Sequence, residues 1–184
     1  MEILVIGDSW AAAREADTGR DAGWPALMGI AAGHRQGLSG STAAQWAGDE
    51  GGVLTRARRT SAEAVVVSLL GNDARIAVLE GRVTADSVVR GINNLRTVLD
   101  ALEHPLTVVM LYADPFGGRN EQANVAVPML NGIIRMACVG RSVIFADTSA
   151  WLTPDHFDGR DIHPTRAGHA AIAHQMHQLC EGGG

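Results

Sequence analysis

Two segments far apart in the chain carry a serine and a histidine that can act on one carbonyl group. Ser9 stands in Gly7-Asp8-Ser9-Trp10, and His163 in Asp158-Gly159-Arg160-Asp161-Ile162-His163-Pro164. A serine hydroxyl becomes a nucleophile when a base takes its proton, and a histidine oriented by a carboxylate is such a base. Two further segments offer donors for the negative charge that develops on the attacked oxygen. They are the backbone N–H of Gly40, in Ser39-Gly40-Ser41-Thr42, and the side-chain amide of Asn72, in Gly71-Asn72-Asp73. Nucleophile, base, orienter and oxyanion donors together make the inventory of acyl transfer. Each residue also has a plainer use on its own: Ser9 as a helix cap, Gly40 as a turn, Asn72 in its own loop, His163 as a surface histidine before a helix. Asp8 and Asp73 read as braces of the same rim, and Asp114 as a loop residue.

Composition removes competing chemistries. The 184 residues include 15 basic side chains, every one an arginine. The chain therefore has no P-loop lysine and no lysine to form a Schiff base. A net charge of -5 and only eight aromatic residues argue against a nucleic-acid partner. Arg56, Arg58 and Arg59 read as a solvated helix end. His169, His174 and His177 near the C-terminus invite a metal, but no His-Glu-x-x-His motif accompanies them, so they read as a solvated face. No metal or organic cofactor is expected. Cys138 and Cys180 are far apart and suit a reducing compartment. No apolar run approaches 18 residues, and the N-terminus lacks the basic and apolar regions of a signal peptide, so a cytoplasmic domain without a membrane span is expected.

The elements that must position these residues follow from hydrophobic patterning. Ile3 to Ile6, Ala64 to Leu70, Leu106 to Leu111 and Ser142 to Ala146 are nearly continuous apolar runs, the mark of parallel strands buried on both faces. A weaker strand is expected at Arg35 to Leu38. Helical periods cover Trp24 to Ala32, Thr42 to Arg58, Val83 to Leu102, Asn120 to Cys138 and Thr165 to Leu179, with Pro128 expected to kink or restart its helix. The alternation predicts a three-layer α/β/α sandwich around a flavodoxin-like five-stranded parallel sheet. Residues 1–181 are read as one domain, and 182–184 as a flexible glycine tail. Right-handed crossovers place every loop that follows a strand on one sheet edge, and all the chemical residues above lie in such loops.

Four of these segments, in this order, resemble the conserved blocks of the SGNH hydrolases, also called GDSL esterases and lipases. Gly7-Asp8-Ser9 resembles the block of the nucleophile, Gly40 that of the oxyanion glycine, Gly71-Asn72-Asp73 that of the oxyanion asparagine. His163-Pro164, ahead of a last helix with Gly168, resembles the block of the catalytic histidine. The chain departs from the pattern at Trp10, where leucine is commonest, and at Leu70, where a glycine usually opens the third block. It departs again at Arg160, which stands three residues before the histidine in the usual place of the acid. Asp161 and Asp158 are the substitutes, and Asp161 is preferred because residues two apart in an extended segment project to one side.

The resemblance implies ester hydrolysis through an acyl-enzyme, with Ser9, His163 and Asp161 as the triad and Ser9, Gly40 and Asn72 as oxyanion donors. The partner is then a small-molecule ester. A short chain without a long apolar lid leads to the expectation of a short acyl group, acetyl to butyryl, in an open site. Trp10, Tyr112 and Phe116 are candidates to line a pocket. The alternative is a catalytically degenerate or non-enzymatic flavodoxin-like domain that binds a small anion, kept in view by Arg160.

Overall fold

A computed structural model describes residues 1–12, 23–159 and 161–181. The expected glycine tail and Arg160 lie outside the described residues. Five parallel strands, β1 (Ile3–Gly7), β2 (Arg35–Gly37), β3 (Ala64–Ser68), β4 (Leu106–Leu111) and β5 (Ile144–Asp147), form one sheet in the order β2-β1-β3-β4-β5. This is the strand order of the flavodoxin-like fold. Leu4, Val5 and Ile6 of β1 and Val65, Val66 and Val67 of β3 have no solvent exposure, which is why their sequences carry no polar alternation.

Helices cover both faces. The first, α1 (Trp24–Leu27), packs on the last, α7 (Arg166–Glu181). The remaining helices are α2 (Ala43–Ala47), α3 (Val53–Arg59), α4 (Gly71–Leu79), α5 (Ala85–Ala101) and α6 (Glu121–Ala137), with α5 seated between α2 and α6 and α4 against α6.

Several elements differ from the sequence expectation, each for a local reason. The single helix expected over Thr42 to Arg58 is two, because Asp49, Gly51 and Gly52 take left-handed backbone between them. Thr42 starts α2 with a reciprocal capping box to Gln45. The first helix stops at Leu27, well short of Ala32. Pro128 lies inside an unbroken α6. Its ring and Asn124, whose carbonyl loses a hydrogen bond to it, are both exposed, so water can satisfy that group. The segment after β3, expected as a loop, is the helix α4, so Asn72 stands in a first helical turn.

Candidate active site

The site forms on the carboxyl edge where β1 and β3 are neighbours and their connections leave in opposite directions, the switch point of a doubly wound sheet. Gly7 ends β1 at φ +131°, and a Cβ there would lie 1.8 Å from the Ser68 carbonyl oxygen. Only glycine lets the two strand ends approach this closely. The chain then turns tightly: the Asp8 N–H donates to the Ser68 carbonyl at 2.8 Å, and the Trp10 N–H to Asp8 Oδ1 at 3.0 Å. Ser9, at the top of this turn, is only 5% exposed.

The Asp8 carboxylate is buried beneath the turn and ties three strands together. Its Oδ1 also accepts from Ser68 Oγ at 3.1 Å, and its Oδ2 from the Tyr112 hydroxyl at 2.5 Å. Burial outweighs these hydrogen bonds and pushes the Asp8 carboxyl up to about 6. The same burial, with Asp8 beside it, pushes the Tyr112 phenol up. A Cβ on Gly71 would strike Asp8 Oδ2 at 2.8 Å, so the residue above the carboxylate must be glycine. Leu70 before it takes φ +82°, a backbone that favours glycine, while its side chain is 2% exposed in the core.

A second set of bonds joins the other strand-end segments. Ser41 Oγ donates to the Gly7 carbonyl at 3.2 Å and accepts from the Trp46 indole at 3.0 Å. The Ser41 carbonyl accepts one amide hydrogen of Asn72 at 3.0 Å, which fixes the carboxamide and leaves its second hydrogen available. Asp73 receives the Ala43 N–H at 2.9 Å, bracing the start of α2, and burial raises its carboxyl. Gly40 lies exposed in the turn between these elements at φ +83°. Neither its N–H nor that of Ser9 donates to a protein acceptor among the described residues.

His163 arrives on a loop from the far end of the chain. Phe157 and Pro164 close the loop by an antiparallel bridge, and Thr165 holds its base through a 2.8 Å bond from its N–H to the His156 carbonyl. His163 Nε2 lies 2.8 Å from Ser9 Oγ, and Nδ1 lies 2.7 Å from Asp161 Oδ1. The same Asp161 oxygen accepts the Ile162 N–H at 2.6 Å. Asp158 turns its Oδ1 to the Asp161 N–H at 2.9 Å and so supports the loop below the acid. Ser9, His163, Asp161 and Asn72 are thus brought to one edge.

Beside Ser9 a cavity of about 320 Å³ opens, lined by Trp10, Tyr112 and Phe116 among others. Trp10 meets Tyr112 edge-on with ring centroids 5.2 Å apart. The contribution of α4 and α6 to this cavity escaped the sequence reading. His169 is not on a solvated face: it is 1% exposed, and its Nδ1 accepts the Trp24 N–H at 3.4 Å. The buried face of α7 packs on α1, whereas His174 and His177 are exposed as expected. No group of three metal-ligating side chains occurs among the described residues.

The family model of GDSL-like lipases and acylhydrolases matches residues 5–171. The chain belongs to the GDSL-like lipase/acylhydrolase family. It is accordingly a carboxylic ester hydrolase with an α/β SGNH-type fold. No curated protein sequence matches it. Among solved structures, an acetylxylan esterase from Geobacillus stearothermophilus aligns with a TM-score of 0.71 and 19% identity, over 100% of this chain and 94% of that one. An alpha/beta hydrolase enzyme from the metagenome of Lake Arreo, Spain, aligns with a TM-score of 0.72 and 16% identity, over 98% of this chain and 94% of that one. The Geobacillus esterase has also been solved as catalytic mutants of a serine, a histidine and an aspartate. No helix among the described residues is long and apolar enough to cross a membrane.

Proposed function

We propose that this GDSL-family member cleaves a small-molecule carboxylic ester through an acyl-enzyme on Ser9, with His163 as general base and acid and Asp161 as its orienter. The observation that carries the reading is the unbroken relay from Ser9 Oγ to His163 to Asp161, at 2.8 and 2.7 Å. Asp161 accepts a hydrogen bond from Nδ1–H, which fixes the tautomer and leaves Nε2 free to accept from the serine. As Ser9 Oγ bonds to the ester carbon, its proton passes to Nε2. The carbonyl oxygen becomes an oxyanion, met by the N–H groups of Ser9 and Gly40 and the second amide hydrogen of Asn72. Collapse expels the alcohol, which takes the proton from His163. Water then attacks the acyl-enzyme, giving its proton to Nε2, and the acid leaves as Ser9 regains that proton. No cofactor enters these steps.

The catalytic serine, histidine and aspartate mutants of the Geobacillus esterase are of the same three residue types and support the assignment. The alternative of a degenerate anion-binding domain rested on Arg160, whereas Asp161 holds the hydrogen-bonding position on Nδ1. Two buried cysteines without a disulfide fit a cytoplasmic setting. The Geobacillus neighbour is an acetylxylan esterase, in line with the short acyl group expected from sequence, whereas the cavity beside Ser9 is larger than acetyl requires. Turnover of p-nitrophenyl butyrate tests the mechanism. Ser9→Ala and His163→Ala should each lower kcat by at least about 10⁴-fold, and Asn72→Ala by about 10²–10³-fold. A Ser9→Ala protein that keeps wild-type kcat overturns it.

A further inference from the structure

The cavity beside Ser9 is built to be empty. It lies between α4 and α6, roofed by the loop after β4, and Ala74, Ala113, Ala123 and Ala126 face it where larger side chains would close it. Val78, Val127 and Leu130 complete an apolar wall, while the exposed Arg75 and Gln122 stay at its rim. Ser9 and Asn72 line one end, and Asn120, whose carboxamide oxygen accepts the Ala123 N–H at 3.1 Å, lines the start of α6. Such a hollow has no use for an acetyl group, whose one methyl is consumed beside the carbonyl. An apolar cavity of about 150 Å³ holds a benzene ring, so 320 Å³ has room for roughly twice that bulk.

The position of the hollow also says which half of an ester enters it. A leaving alcohol must stay within hydrogen-bonding reach of His163 Nε2 to receive its proton. Neither His163 nor Asp161 lines the hollow, which meets the loop of the base only at Ile162. Ser9 and Asn72 line it directly, and they hold the part of the substrate that remains on the enzyme. Resting on the esterase reading above, we propose that this chamber is the acyl site. It selects an apolar acyl group of about six to ten carbons, linear or aryl-substituted, over acetyl. This revises the acetyl-to-butyryl expectation, which was drawn from the absence of a lid and took no account of the space between the helices. Leu130 and Ala74 set the depth, for both also line a second cavity of about 60 Å³ behind the first.

The test is kcat/KM for two ester series. One keeps p-nitrophenol and lengthens the acyl chain from acetyl to dodecanoyl; the other keeps acetyl and lengthens the alcohol from ethyl to octyl. Each methylene moved from water into an apolar site is worth about fourfold. The acyl series should climb at least tenfold and peak between six and ten carbons, with no comparable climb in the alcohol series. Ala126→Phe, which fills the chamber, should move the peak to four carbons or fewer. Leu130→Ala, which opens the second cavity, should move it to longer chains. Acetyl as the best acyl group in the wild type, or a length preference confined to the alcohol series, overturns the proposal and leaves the esterase standing. No turnover of either series above a Ser9→Ala background overturns both.

Discussion

Ser9 and Asn72 stand on a floor made from the ends of β1, β3 and β4, where Asp8 alone receives hydrogen bonds from Trp10, Ser68 and Tyr112. Asp161 and His163 ride instead on a loop of a few residues, pinned by the Phe157–Pro164 bridge and by Asp158. The floor is buried, and its geometry is part of the sheet. On the loop, the Asp161 side chain is 40% exposed. The proposed site therefore joins a nucleophile and an oxyanion asparagine held by the sheet edge to a base and acid whose placement depends on local loop bonds. Loop substitutions should cost activity and leave stability nearly intact; floor substitutions should cost stability first.

The largest expected effect lies on the loop. Asp161→Asn should lower kcat by about 10⁴-fold, as loss of the orienting carboxylate does in a serine triad, with an unchanged melting temperature. Asp158→Asn, which keeps an oxygen able to accept the Asp161 N–H, should stay within about tenfold. If the larger fall appears in Asp158→Asn, the assignment of the acid is wrong.

Glycine substitutions sharpen the contrast in stability. Gly7→Ala places a methyl into the Ser68 carbonyl and should cost at least about 4 kcal/mol by urea unfolding. Gly159→Ala, at φ +76° with open space around it, should cost about 1–2 kcal/mol. Equal losses would mean that floor and loop are equally constrained.

Asp8 supplies the most specific effect. Its native carboxyl titrates at about 6 against 3.8 in the unfolded chain. Between those values the folded protein holds a proton that the unfolded chain has lost. The stabilisation is complete below pH 3.8, falls as pH rises, and is gone above about 6. It amounts to about 3 kcal/mol. Comparing unfolding at pH 4.5 and 7.5, the wild type should lose stability relative to Asp8→Asn by most of that amount. Parallel pH profiles for the two proteins would refute a strained buried carboxylate.

The sheet was legible because strands buried on both faces must read as continuous apolar runs, as Val65 to Val67 do. The four chemical segments were legible because each follows a strand or precedes the last helix. What stayed hidden depended on contacts that spacing does not record. The α4 helix begins Gly-Asn-Asp after a leucine in left-handed backbone, so it looked like a loop. Which of Asp161 and Asp158 reaches the imidazole depends on the loop's own bonds, such as that from the Asp161 N–H to Asp158. His169 looked solvated until α1 covered it. The acyl chamber needs alanines on α4 and α6 to face each other, a pairing that only the fold reveals.

The most direct test of the central claim is treatment of the folded protein at neutral pH with a fluorophosphonate probe, with the adduct mapped by peptide mass spectrometry and Ser9→Ala run alongside. The account predicts stoichiometric labelling at Ser9 and none in the variant. An unlabelled wild type, or an adduct at another residue, would contradict it.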